Sequence, residues 1–168
     1  MNVANKVQQL HPFLNSAVIL DISNGVFETA QTVASVACIC EKSFVEKKWK
    51  APALNAFAVL FDIESAEHKG QIIFYFTKKS LQELYMKIVG IKEEITLDEN
   101  LLDCLGEVCN QAYGVAKTKL NRAGYAFIMT LPQPILTEQL VVKESKYPVI
   151  VVPFSLFDER CYIQLVIL

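Results

Sequence analysis

Asp98 to Arg122 reads DENLLDCLGEVCNQAYGVAKTKLNR, and its letters divide into two faces. At about 100° per residue, Leu101, Leu102, Leu105, Val108, Cys109, Ala112, Tyr113, Ala116 and Leu120 fall on one broad apolar arc, so the spacing predicts a long helix with that arc buried. Opposite it lie Asp103, Glu107, Asn110 and Gly114 at spacings of four, three and four, a straight polar stripe. A merely solvated helix face carries Lys and Glu in quantity, because long charged side chains are good helix formers. This stripe holds no lysine. Gly114 costs about 1 kcal/mol relative to Ala in a helix interior, and Gly106 beside the stripe adds a similar penalty. Glycines flanking a carboxylate and a carboxamide suit a surface that another backbone or a phosphate group must approach closely.

Working outward, Pro12 to Ala34 places Phe13, Ala17, Leu20, Asn24, Phe27, Gln31 and Ala34 at steps of three and four, which predicts a first helix, frayed or bent at Asn24-Gly25. Val36 to Glu46 reads as a strand. Leu54 to Ile63 and Gln71 to Thr77 are apolar runs separated by the polar, glycine-bearing Glu64 to Gly70, a hairpin signal. Ser80 is expected to cap a short helix over Leu81 to Val89 that Gly90 closes. After Gly124, four more strand-like runs cover Tyr125 to Thr130, Ile135 to Val142, Val149 to Phe154 and Cys161 to Leu168. Helix, strands, two helices and strands again point to an α+β architecture: an antiparallel sheet of about six strands with three helices packed on one face. The exposed side of those helices is then the docking surface.

With 168 residues, 52% apolar and 10% aromatic, the chain is expected to form one domain over residues 1–168. Sixteen basic and 18 acidic residues, net charge −2, leave no electrostatic footprint for nucleic acid. The opening MNVANKVQQLHPF lacks the basic and apolar regions of a secretory signal, and no window approaches the roughly 18 apolar residues of a membrane helix, so a cytoplasmic protein is expected. The five cysteines (Cys38, Cys40, Cys104, Cys109, Cys161) match no disulfide or zinc spacing and read as reduced thiols.

Glu107 and Asn110 do not suggest covalent catalysis. A carboxamide has no useful pKa, and no Ser, Cys or His shares its face as a nucleophile and base. Asn110 does offer both a donor and an acceptor, which positioning a water requires. Phosphoryl transfer depends chiefly on such placement and on charge stabilisation. Asp98, Glu99 and Asp103 are spread around the helix, so no metal cage is expected and any cation must come with a partner. Asp103 also suits an early-helix charge favoured by the helix dipole. Lys117 and Thr118 read as ordinary late-helix residues, and His11 and His68 fall in connectors.

The series Asp103-x3-Glu107-x2-Asn110, continued by Gly114, Lys117, Thr118, Gly124 and the Pro132-x-Pro134 pair, resembles the active-site helix of the CheC/CheX/FliY chemotaxis phosphatases and is most similar to CheX. Pro12-Phe13-Leu14-Asn15 and Val26-Phe27-Glu28-Thr29 resemble the opening of CheX-type chains. The resemblance implies a phosphatase for the phospho-aspartate of a CheY-type receiver. Glu107 would pair with a receiver lysine, Asn110 would orient water beside receiver-bound Mg²⁺, Gly114 would give clearance and Asp103 a flanking contact. It also implies a homodimer. The alternatives are a non-catalytic adaptor that docks a receiver or flagellar component, and a structural dimer formed on the apolar carboxyl-terminal strand, taken as a sheet edge. Three features depart from the family. Asn24-x3-Glu28-x2-Gln31 has Gln31 where a second site would need asparagine, so that register is read as inactive. Prolines flank, rather than occupy, position 133, which about 22 residues separate from the asparagine. The last turn, Asp158-Glu159-Arg160, lacks an expected glycine.

Overall fold

The computed structural model of the protein describes residues 11–92 and 99–168. The opening stretch 1–10 and Asp98 lie outside them. A 3-10 turn at Pro12–Leu14 leads into α1 (Ser16–Ala34), whose first turn is capped by the Asn15 side chain accepting from Ala17 N at 2.9 Å. α1 runs unbroken through Asn24-Gly25, where a bend was expected. His11 fixes the entry: its Nδ1 accepts from Phe13 N, its Nε2 lies 2.9 Å from the Lys69 carbonyl, and its ring meets that of His68 edge-on.

The expected strand over 36–46 is two short pieces, β1 (Ile39–Cys40) and β2 (Phe44–Glu46). β3 (Phe57–Glu64) and β4 (Lys69–Phe76) form the expected hairpin, in register from Phe57↔Phe76 to Glu64↔Lys69. α2 (Lys78–Val89) starts earlier than Ser80 implies: Thr77 is the cap and Ser80 its reciprocal partner three residues on, and Gly90 closes the helix at φ 78°. α3 (Glu99–Arg122) follows, then β5 (Ile128–Met129), β6 (Gln133–Leu136), β7 (Val149–Leu156) and β8 (Glu159–Ile167).

All pairings are antiparallel, in the order β1-β7-β8-β4-β3-β5, with β2 continuing beside β7 and β6 beside β3. Among the described residues the sheet is therefore six strand positions wide, with three helices on one face, as the patterning implies. β8 is not an edge. It lies between β4 and β7 and pairs with both, which removes the carboxyl-terminal strand as a dimer edge. Its run of buried side chains from Cys161 to Ile167, Gln164 included, is that of an interior strand covered on both faces. The β7–β8 turn does without glycine because Phe157 and Asp158 both adopt left-handed backbone, φ 53° and 60°.

The main core lies between helices and sheet. The far face of the sheet is also covered, contrary to a sheet covered on one side only. Ala58, Leu60, Ile73, Tyr75, Val151 and Val166 are buried there beneath Trp49, Leu140 and Val142. That explains why the run expected as a strand over 135–142 leaves the sheet after Leu136, passing through a 3-10 turn at Thr137–Gln139 to lay Leu140 and Val142 on that face.

One core group is poorly served. The Tyr113 hydroxyl of α3 is buried with no hydrogen-bond partner among the described residues, while its ring stacks on Phe61 of β3 at 5.3 Å. An unsatisfied buried hydroxyl costs about 1–3 kcal/mol. Tyr113→Phe, which keeps the ring, is expected to stabilise the fold by about 1 kcal/mol. A urea midpoint at or below the wild-type value would refute this.

Candidate functional site

The site is built on α3, and three contacts fix how α3 lies. Its apolar arc is buried as expected: Leu101, Leu105, Cys109, Ala112, Tyr113, Ala116 and Leu120 are all within the core. At the α1 crossing, Gly25 sits so close to α3 that a methyl added to it would collide with the Ala112 carbonyl oxygen and come 3.3 Å from the Ala116 Cβ. On the sheet side, a methyl at Gly106 would come 2.8 Å from Pro134 Cγ of β6. Gly106 therefore serves close packing inside the chain and not the approach of a partner, and Pro134 holds the edge of the sheet against the helix that bears the stripe.

With the arc pinned on three sides, the opposite face points outward. Asp103 and Glu107 are exposed, and Asn110 and Gly114 are half-buried at the surface. All four share one side of the helix, in the spacing read from the sequence. Among the described residues, the Asn110 carboxamide and the Asp103 carboxylate have no hydrogen-bond or ion-pair partner, so the amide keeps both its donor and its acceptor. Glu107 is held on one side only: its Oε1 accepts from Gln111 Nε2 at 3.2 Å. Among the described residues nothing outside the local helix backbone lies within 4 Å of the place where a side chain at Gly114 would begin, so this glycine leaves open space over the stripe. Thr118 donates to the Gly114 carbonyl at 3.0 Å.

The chemistry that this arrangement supports is non-covalent. The two thiols of α3 near the stripe are poor nucleophiles, because burial raises the pKa of both Cys104 and Cys109, the second strongly. Among the described residues no group of three or more His, Cys, Asp and Glu side chains is disposed to hold a metal ion. The register on α1 differs from the stripe in a further respect, besides Gln31 in place of asparagine. Glu28 is already engaged, its Oε1 2.6 Å from Lys119 Nζ of α3. Lys119 therefore belongs to the α1–α3 contact.

The roles of three residues at the site escape a reading of the sequence. Gln111 is one helical turn from Glu107, and its spacing of four was the available signal. Gly25 and Pro134 act through contacts distant in sequence, which periodicity does not report.

Residues 58–155 match the sequence model of the family described as Chemotaxis phosphatase CheX, a span that contains the whole stripe and Pro134. The chain therefore belongs to the CheX family. No curated protein matches it significantly. Among solved structures, the chemotaxis protein CheX from Vibrio vulnificus superposes with a TM-score of 0.80 at 20% identity, covering 91% of this chain and 100% of that one. A CheC-like superfamily protein from Shewanella sp. PV-4 gives a TM-score of 0.80 at 24% identity, covering 92% and 99%. CheX in a CheX–CheY–BeF3–Mg complex from Borrelia burgdorferi gives 0.71 at 20%, covering 89% and 97%. These likenesses establish the shared fold. Among the described residues no helix is long and apolar enough to cross a membrane.

Proposed function

We propose that this protein hydrolyses the phospho-aspartate of a CheY-type receiver domain, docking it on the α3 stripe. Membership of a chemotaxis phosphatase family supports the reaction class, and the CheY seated on the Borrelia burgdorferi relative supports the type of partner. The observation that carries the reading to particular residues is the outward-facing Asn110 carboxamide, which has no partner among the described residues and lies one turn from a carboxylate on a helix pinned by its neighbours.

In this reading Glu107 anchors the receiver by pairing with one of its lysines. Asn110 enters the receiver's active site and uses its donor and acceptor to hold a water in line with the phosphorus, while α3, fixed by Gly25 and Pro134, limits the freedom of that amide. Such placement is the main contribution a protein makes to a loose transition state. Receiver-bound Mg²⁺ would neutralise charge on the phosphoryl oxygens. Asp103 lies further along the stripe as a flanking contact, and Gly114 lets the receiver come close.

The test is the lifetime of the phosphoryl group on a panel of purified receivers with substoichiometric protein added. At least one lifetime is expected to shorten with multiple turnovers. A receiver that binds tightly in its phosphorylated form with an unchanged lifetime would replace the phosphatase with an adaptor.

Gly114→Ala separates docking from folding. The added methyl meets nothing among the described residues, and Ala is favoured over Gly in a helix by about 1 kcal/mol, so stability should rise by about that much. Receiver affinity should fall roughly tenfold, about 1.4 kcal/mol, as the methyl fills the clearance. Titration calorimetry showing unchanged affinity would remove Gly114 from the interface.

A further inference from the structure

From the contacts of Glu107 we infer that Gln111 is a positioning residue, holding the Glu107 carboxylate away from Asn110 so that the amide stays free for water. The inference rests on the proposed function for its consequence, but its geometric part stands without it. On a helix, a residue four positions on is rotated by about +40° and one three positions on by about −60°. Gln111 and Asn110 therefore flank Glu107 on opposite sides, each within reach of it. An unrestrained Glu107 has two local donors to choose from. The structure shows the choice made: Gln111 Nε2 donates to Oε1 at 3.2 Å, and the Asn110 carboxamide makes no hydrogen bond among the described residues.

The consequence is chemical. If Asn110 gave its amide hydrogens to Glu107, the group that must orient a water would be committed to its own chain and the carboxylate that must meet a cation would be partly satisfied. Gln111 prevents both with a neutral donor, leaving Glu107 its full charge and its second oxygen. A lysine at position 111 would supply the same tether but compete with the partner's cation.

The test compares wild type, Gln111→Met, which keeps length and removes the donor, and Gln111→Met combined with Glu107→Ala. Gln111 is exposed, so neither change disturbs the core. In the free protein, the Asn110 side-chain amide resonances in a proton–nitrogen spectrum should move in Gln111→Met and return in the double variant, where no carboxylate remains to be bonded. In the phosphoryl-lifetime assay Gln111→Met should lower turnover at saturating receiver by about fivefold, and should have no further effect in the Glu107→Ala background, the non-additivity expected of residues that act through one another. Unmoved Asn110 resonances in Gln111→Met overturn the inference, as do moved resonances with unchanged turnover. A wild-type protein without activity on any receiver overturns the proposed function instead, and the amide spectrum still decides whether Gln111 holds Glu107 off Asn110.

Discussion

Asn110→Ala will leave the fold unchanged and remove acceleration of receiver dephosphorylation. The side chain lies on the outer face of α3 and makes no hydrogen bond among the described residues, so no internal bond is lost, and Ala is the better helix former. What disappears is the group assigned to hold the attacking water. Removing one preorganised hydrogen-bonding group from a reaction of this kind costs roughly 10²–10³ in rate. Because Glu107 remains, affinity for the receiver should change little, so the loss belongs in turnover and not in KM. Single-turnover lifetimes at saturating variant provide the measurement. A variant within about threefold of wild type, against the roughly 10²–10³ expected, would mean that water is positioned by something else.

Gly25→Val will produce a large loss of stability. Even one added methyl collides with the Ala112 carbonyl oxygen, part of the backbone of α3 and unable to turn aside like a side chain, and a second contact at 3.3 Å to Ala116 Cβ closes the remaining space. The helices must separate or shift along one another. Overpacking of a well-packed core usually costs about 1–3 kcal/mol and more where backbone must move, so at least about 3 kcal/mol is expected, visible as a large drop in the urea midpoint. The same displacement moves the stripe relative to β6, so whatever folded protein remains should also lose activity. Denaturation within about 0.5 kcal/mol of wild type would show that α1 and α3 are not locked at this point.

How far the sequence discloses this molecule follows from what periodicity can and cannot express. The apolar arc of α3 is local information at a period of 3.6, and every residue on it is buried or packed against the core. The polar stripe is legible for the same reason. Gly106 and Gly114 are costly in the same way by propensity, yet one meets Pro134 and the other meets nothing among the described residues, and only contacts between distant segments tell them apart. Gly25 reads as a weak point in α1 but is where α1 meets the α3 backbone closely enough to leave no room for a methyl. The run from Ile135 to Val142 reads as one strand because both of its halves are apolar; its second half is apolar to cover the far face of the sheet together with Trp49. Ser80 is a good cap by type, but Thr77 lies three residues earlier and the two bond reciprocally, a choice that lies outside the helical pattern. The apolar end of the chain suggests an edge awaiting cover, and the sheet instead places β8 between two partners.

The most direct test is a crystal structure of this protein with a receiver carrying beryllofluoride and Mg²⁺, in which the beryllofluoride stands in for the phosphoryl group. The Asn110 carboxamide should lie within about 3–4 Å of the fluorides or of a water in line with them, with Glu107 paired to a receiver lysine at hydrogen-bonding distance. A complex in which the receiver's active site faces another surface, leaving Asn110 in solvent, would contradict it.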